Sequence, residues 1–191
     1  MDHRHHVNLI RPAKLVPGGT WADLGAGSGA FTLALRELIG AEAELYAVDR
    51  DKARLADLER GWRARFGETS GLQILQSDFT GPLDMPRLDG IVMANSLHFY
   101  KEKVSILRHV GSLLKPGGRL LLVEYNVDSG NMWVPYPFAF EKFQGLAIQA
   151  GFGEPRLLAT HPSSFLRGFY SAETFINTIP RDSTAGQADT K

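Results

Sequence analysis

The stretch from Thr20 to Leu38, TWADLGAGSGAFTLALREL, constrains this chain more than any other. A short apolar run (Trp21, Ala22, Leu24) predicts a buried strand. It breaks at Gly25, Gly27 and Gly29, and Phe31, Ala34, Leu35, Leu38 and Ile39 then recur at helical spacing. Glycines there allow positive φ and let a ligand approach the backbone closely. The first N–H groups of the following helix face that ligand with the positive end of the helix dipole behind them. Two ligand classes suit such a turn. Gly25, Gly27 and Ala30 satisfy the fingerprint that seats a dinucleotide pyrophosphate. Asp23, Gly25, Gly27 and Gly29, with Ala26 between the first two glycines, also read as D-x-G-x-G-x-G. In that reading a carboxylate stands at the strand end, where it repels phosphate and suits a cationic amine.

Downstream, apolar strands alternate with amphipathic helices. Glu44 to Val48 predicts a second buried strand, ending at Asp49. A carboxylate about twenty residues beyond the glycines can accept both hydroxyls of a ribose. Asp51 is placed to cap a helix carrying Leu55, Leu58, Trp62 and Phe66 on one face. Leu72 to Leu75 predicts a third strand leading into Asp78 and Phe79. Alone, Asp78 is a turn residue; in this company the pair suits the edge and face of an adenine. Leu88 to Ala94 predicts a fourth strand opening into Asn95, Ser96, Leu97, His98, Phe99 and Tyr100, followed by a helix that Lys115-Pro116-Gly117-Gly118 stops. Arg119 to Tyr125 is the most apolar strand, Phe138 to Ala150 predicts a helix, and Arg156 to Thr160 with Phe165 to Tyr170 predicts a closing antiparallel hairpin. The fold class is α/β, with a mostly parallel sheet built from right-handed βαβ units. Asn126 to Pro137 has no periodicity but carries Met132, Trp133 and Tyr136, the pattern of a working lid.

Composition narrows the function. The 21 Lys plus Arg balance 21 Asp plus Glu, so no net basic field favours nucleic acid or an anionic membrane. The absence of cysteine excludes disulfides, thiolate metal sites and a cysteine nucleophile, and suits a reducing, cytoplasmic setting. No apolar run approaches the roughly 18 residues of a spanning helix, and the N-terminal residues lack the apolar core of a signal peptide. His3, His5 and His6 lie in a segment expected to fray, ahead of a short helix around Val7 to Leu15, and no metal is assigned to them. We expect one domain over residues 1–179, with 1–19 as a helical lead-in and 180–191 as a polar, disordered tail.

Asp23-Leu24-Gly25-Ala26-Gly27-Ser28-Gly29, Ala47-Val48-Asp49, Ser77-Asp78-Phe79, the Asn95 to His98 turn and Lys115-Pro116-Gly117-Gly118 together resemble the class I S-adenosylmethionine-dependent methyltransferases, most closely the small ones acting on small molecules. The resemblance covers most of Trp21 to Tyr170. It implies a Rossmann-like seven-stranded sheet of order 3-2-1-4-5-7-6 with the seventh strand reversed. It also implies a cofactor, S-adenosylmethionine, that leaves as S-adenosylhomocysteine. In this resemblance the glycine loop (Gly25, Ala26, Gly27, Gly29) underlies the methionine part, Asp23 and the backbone near Asn95 hold its amino group, Asp49 with Arg50 beside it holds the ribose, and Asp78 and Phe79 meet the adenine. The Asn95 to His98 turn lacks the Asn/Asp-Pro-Pro-aromatic motif of amide and amine methyltransferases. Without cysteine, thiol-relay arsenic methylation and cysteine-dependent cytosine-C5 methylation are excluded.

Methyl transfer from a sulfonium is an in-line displacement, so the protein mainly aligns the reactants, a contribution of roughly 7 to 11 kcal/mol. A base adds about 10² to 10⁴-fold when the acceptor is a hydroxyl or a carbon acid. His98 is the candidate base because it leaves the fourth strand on the carboxyl side of the sheet, with Glu124 and Tyr125 as weaker candidates. Phe99, Tyr100, Tyr125, Trp133 and Tyr136 form the expected substrate-facing set, suited to a small, partly apolar acceptor. The acting unit is expected to be a monomer or homodimer. The rival readings are a nicotinamide-dependent oxidoreductase sharing the turn and Asp49, and a non-catalytic protein keeping the fold.

Overall fold

A computed structural model describes residues 1–67 and 69–177. Its centre is a seven-stranded sheet of order β3-β2-β1-β4-β5-β7-β6, with β1 at Thr20–Leu24, β2 at Glu44–Asp49, β3 at Leu72–Gln76, β4 at Leu88–Ala94, β5 at Leu114–Tyr125, β6 at Arg156–Pro162 and β7 at Gly168–Phe175. The pairs β1–β2, β1–β4, β2–β3 and β4–β5 are parallel, whereas β7 runs antiparallel to both β5 and β6. Order and reversed strand are those expected from the sequence. Helices α1 (His3–Ile10), α2 (Ala30–Ile39), α3 (Lys52–Phe66), α4 (Lys103–Leu113) and α5 (Phe140–Gln149) surround the sheet. Two cores result. One, carrying Ile10, Leu35, Leu58 and Trp62, lies on the face of α1, α2 and α3; the other, carrying Leu107, Val110, Phe138, Phe143 and Phe152, lies on the face of α4 and α5. Full burial of each such side chain contributes roughly 1.5 to 3 kcal/mol.

The ends of several elements differ from the sequence expectation, each for a local reason. The first helix begins at His3 rather than Val7, because Asp2 caps it: its carboxylate accepts the His5 N–H at 3.0 Å while the His5 ring faces the Asp2 N–H at 3.4 Å. The three histidines are therefore helical and not frayed, and the helix gives way at Pro12 to a 3₁₀ turn over Arg11–Ala13. Strand β5 starts at Leu114, which pairs with Leu88 before the register shifts. The last strand is displaced most, spanning Gly168–Phe175 where Phe165 to Tyr170 was expected. Its continuation holds buried polar groups that hydrophobic patterning passes over. Ser171 Oγ donates to the Leu9 carbonyl at 2.5 Å, and Glu173 is held between Arg119 and Arg156. Phe165 instead sits in the hairpin turn, 51% exposed. The expected tail at 180–191 lies outside the described residues. No helix among the described residues is long and apolar enough to cross a membrane.

Candidate active site

The carboxyl ends of β1, β2, β3 and β4 open onto one cavity of about 430 Å³. Its floor is the turn after β1. Gly25 has φ +83°, and a Cβ there would lie 2.5 Å from the Ser96 Cβ, so this position admits glycine alone. Gly29, at φ +89°, is the N-cap of α2, and a Cβ on it would strike Leu58 at 2.6 Å. Gly29 thus seats α2 against α3 and does not line the cavity, whereas Gly25, Ala26 and Gly27 do.

Asp23 and Asn95 meet at the β1–β4 end. Asp23 is 1% exposed and accepts the Thr32 hydroxyl at 2.6 Å, and among the described residues no cation pairs with it. Burial pushes its carboxyl up to about 7, against the pull of the Thr32 hydroxyl. Asn95 sits at φ +52°, and its buried Oδ1 takes no hydrogen bond. An acceptor buried without a donor costs about 1 to 3 kcal/mol. A buried carboxylate without a cation and an amide oxygen without a donor make a seat for an ammonium group.

At the other end Asp49 is locked by backbone donors: Oδ2 accepts the Gly27 N–H and Oδ1 the Asp51 N–H, each at 2.8 Å. The carboxylate keeps lone pairs toward the cavity, beside Arg50. Asp51 also caps α3, accepting the Ala53 and Arg54 N–H groups. Asp78 does two things at once. Its Oδ1 accepts the Thr80 N–H and hydroxyl, closing a turn and lowering its pKa, while the residue lines the cavity. Phe79 is buried behind it, edge-on to Tyr100 with ring centroids 5.5 Å apart, and Tyr100 and Phe99 complete the wall.

Other expected site residues fall elsewhere. His98 is 3% exposed and does not line the cavity; the Phe99 ring stands 4.3 Å from it. Its Nδ1 lies 2.7 Å from Oε2 of the fully buried Glu124, whose Oε1 accepts the Leu97 and His98 N–H groups at 2.9 and 3.2 Å. A carboxylate can only accept, so Nδ1 carries the proton and Nε2 the lone pair. Tyr125 stacks 4.4 Å from Phe169, away from the cavity. Trp133 and Tyr136 are not cavity residues either; Trp133 is 69% exposed, while Tyr136 joins the site only through its N–H, which donates to the His98 carbonyl at 3.0 Å. The 126–137 segment is tied down by Val134, by Asn131 accepting the Trp133 and Val134 N–H groups, and by Asp128 accepting that of Ala139. Its exposed aromatics do not fold onto the core.

Sequence reasoning named Ser28, Ala30 and Ser77 only within motifs, and it did not read Phe31, Asp51, Arg54, Ala94, Ser96 and, above all, His6 as lining residues. His6 shares the buried face of α1 with Leu9 and Ile10, three and four positions on, which is the signal that could have found it. Its ring lies 5.0 Å from Phe31, and burial pushes its pKa down to about 4.

The family model for a methyltransferase domain matches residues 22–120, just over half of the chain. The chain belongs to the methyltransferase-domain family. The match begins in β1 and runs into β5, so it takes in every strand end that opens onto the cavity. Among curated members, the chain is 29% identical over 147 residues to the ubiquinone/menaquinone biosynthesis C-methyltransferase UbiE of Azotobacter vinelandii, covering 74% of this chain and 58% of that protein. It is 27% identical over 183 residues to the arsenite methyltransferase of Aquipseudomonas alcaligenes, covering 82% and 50%. The chain thus spans little more than half the length of these relatives. In fold it is similar to the magnesium protoporphyrin IX methyltransferase of Synechocystis PCC 6803, solved with bound S-adenosylmethionine, at a TM-score of 0.69 and 16% identity over 92% of this chain and 78% of that one.

Proposed function

We propose that the cavity binds S-adenosylmethionine and that the protein passes its methyl group to a small, partly apolar acceptor in the cytoplasm. The observation that carries this is a buried Asp23 carboxylate without a paired cation and an Asn95 Oδ1 without a donor, in a cavity floored by Gly25, where a side chain has no room. An ammonium group satisfies both, and a pyrophosphate would meet the buried Asp23 carboxylate head-on. That argues against the nicotinamide reading. When bound, the cofactor supplies a methyl carbon already activated by a sulfonium.

The chain's own residues supply position. Asp23 and Asn95 hold the amino group, Asp49 the ribose hydroxyls, and Asp78 with Phe79 and Tyr100 the adenine, while Gly25, Ala26 and Gly27 pass beneath. Phe99 and Tyr100 exclude water from the side where an acceptor enters. His98, oriented by Glu124 and packed against Phe99 of the cavity wall, is the base for an acceptor that must lose a proton. By name one relative is a C-methyltransferase of ubiquinone/menaquinone biosynthesis and the other an arsenite methyltransferase; with no cysteine to hand arsenic from thiol to thiol, this chain fits an organic acceptor.

Calorimetry with S-adenosylhomocysteine and NAD tests the cofactor. S-adenosylhomocysteine should bind and NAD should not, and Asp49→Ala should weaken the former by about 1.5 to 3 kcal/mol, the range for hydrogen bonds to charged groups. Binding of NAD without a response to S-adenosylhomocysteine would sink the reading.

A further inference from the structure

The amino-acid part of S-adenosylmethionine is a zwitterion, and its carboxylate needs a donor placed away from Asp23, Asp49, Asp51 and Asp78, which all line the cavity. Donors among the lining side chains include Arg50, which lies in the field of Asp78 at the opposite end, and the hydroxyls of Ser28 and Ser77. Ser96 Oγ already donates to the Leu24 carbonyl at 2.9 Å, and Arg54 is an exposed cation paired with Asp51 at 3.6 Å. His6 stands apart from these. It reaches the cavity from α1, ahead of the segment that the family model matches, and packs on Phe31 at the start of α2, where Ala30 and Phe31 also line the wall. Its neighbours on α1 are engaged elsewhere: His3 Nε2 lies 2.8 Å from Glu37, and His5 stacks on His161 at 4.4 Å. Among the described residues, no hydrogen bond occupies the His6 ring.

We infer that His6 is a positioning residue whose ring N–H receives the carboxylate of the cofactor's amino-acid part, so that α1 completes the site that the glycine turn begins. The inference rests on the reading of the cavity as an S-adenosylmethionine site. A half-buried imidazole held neutral offers an N–H without the desolvation cost of a second buried cation, and a neutral donor to an anionic acceptor is among the stronger hydrogen bonds. Helix α1 is anchored independently of His6. Ser171 and Arg119 donate to the Leu9 and Ala13 carbonyls, which lets the side chain be changed without undocking the helix.

The test compares two ligands that differ in the amino-acid part, ammonium and carboxylate together: S-adenosylhomocysteine and 5′-methylthioadenosine, which lacks it. Because Asp23 and Asn95 are intact in the His6 variants, a change confined to S-adenosylhomocysteine reports on His6. His6→Phe keeps a ring against Phe31 and removes the N–H. It should weaken S-adenosylhomocysteine by about tenfold or more and 5′-methylthioadenosine by less than about twofold, while His6→Gln, which restores a donor, should recover most of the loss. Unchanged S-adenosylhomocysteine affinity in His6→Phe, or equal weakening of both ligands, would overturn the assignment. A wild-type protein that binds neither ligand would instead overturn the reading of the cavity, and this inference with it.

Discussion

Asp23→Asn is expected to make the ligand-free protein more stable at pH 8 and a poorer binder of S-adenosylhomocysteine. The sign follows from the direction of the shift. The folded-state pKa of Asp23 is raised from 3.8 to about 7, so its contribution to stability is fully present below 3.8 and lost as pH rises through about 7. Above that pH the fold bears the cost of an ionised, desolvated carboxylate, on the order of 4 kcal/mol for a shift of about three units. Asparagine keeps an oxygen for the Thr32 hydroxyl and carries no charge. The thermal midpoint at pH 8 should rise by on the order of ten degrees, and the gap to wild type should close as pH falls from 7 toward 4. Affinity for S-adenosylhomocysteine should drop at least about tenfold with the loss of a charged acceptor. A variant less stable than wild type at pH 8 would show that Asp23 is supported by partners the structure does not hold. Stability given up at a binding site is a recurrent trade-off, and here it falls on one carboxylate.

Glu124→Gln should separate binding from turnover. The carboxylate accepts from Leu97 N, His98 N and His98 Nδ1. An amide can still accept the two backbone N–H groups, but its NH₂ then faces Nδ1, and the imidazole avoids a donor–donor clash only by moving its proton to Nε2. The lone pair that would take the acceptor's proton disappears, the same tautomer fault that disables a triad histidine when its aspartate becomes an amide. We expect kcat to fall by about 10² to 10⁴-fold, the range of general-base catalysis, with S-adenosylhomocysteine affinity changed by less than about twofold. His98→Ala should match it, because the two side chains act as one unit. A Glu124→Gln enzyme with an unchanged rate would remove the base and leave the pair as a structural clasp at the start of the 3₁₀ turn Leu97–Phe99.

Much of this was legible in the sequence because the cofactor end of the site is built from local chemistry. The glycine turn, Asp49 at the end of β2, and Asp78-Phe79 after β3 each follow a strand whose apolar run is visible, and the parallel sheet then gathers the strand ends at one edge. What stayed hidden depends on contacts distant in sequence. Strand β7 carries Ser171, Glu173 and Thr174 at buried positions, satisfied by Leu9, Arg119, Arg156 and Gly153, so its pattern does not read as buried. His6 becomes a cavity wall only because α1 docks on α2 and β6, and its own neighbours in sequence suggested a solvated segment. The aromatics of 126–137 stand differently: residue type suggests a substrate-facing lid, and in the ligand-free structure Val134 and Phe138 anchor that segment while Trp133 turns to solvent. His98 and Glu124 are each singled out by their places after β4 and in β5, but not as a pair, because they are 26 residues apart and meet only through the pairing of β4 with β5.

Methyl transfer itself is tested most directly by incubating the purified protein with methyl-labelled S-adenosylmethionine and a metabolite extract, followed by separation of small molecules from RNA and protein. The account predicts label in a small, partly apolar product, dependent on the protein, suppressed by S-adenosylhomocysteine and lost in Asp49→Ala. Label carried into RNA with none in the small-molecule fraction, or no transfer from a protein that binds the cofactor, would contradict it.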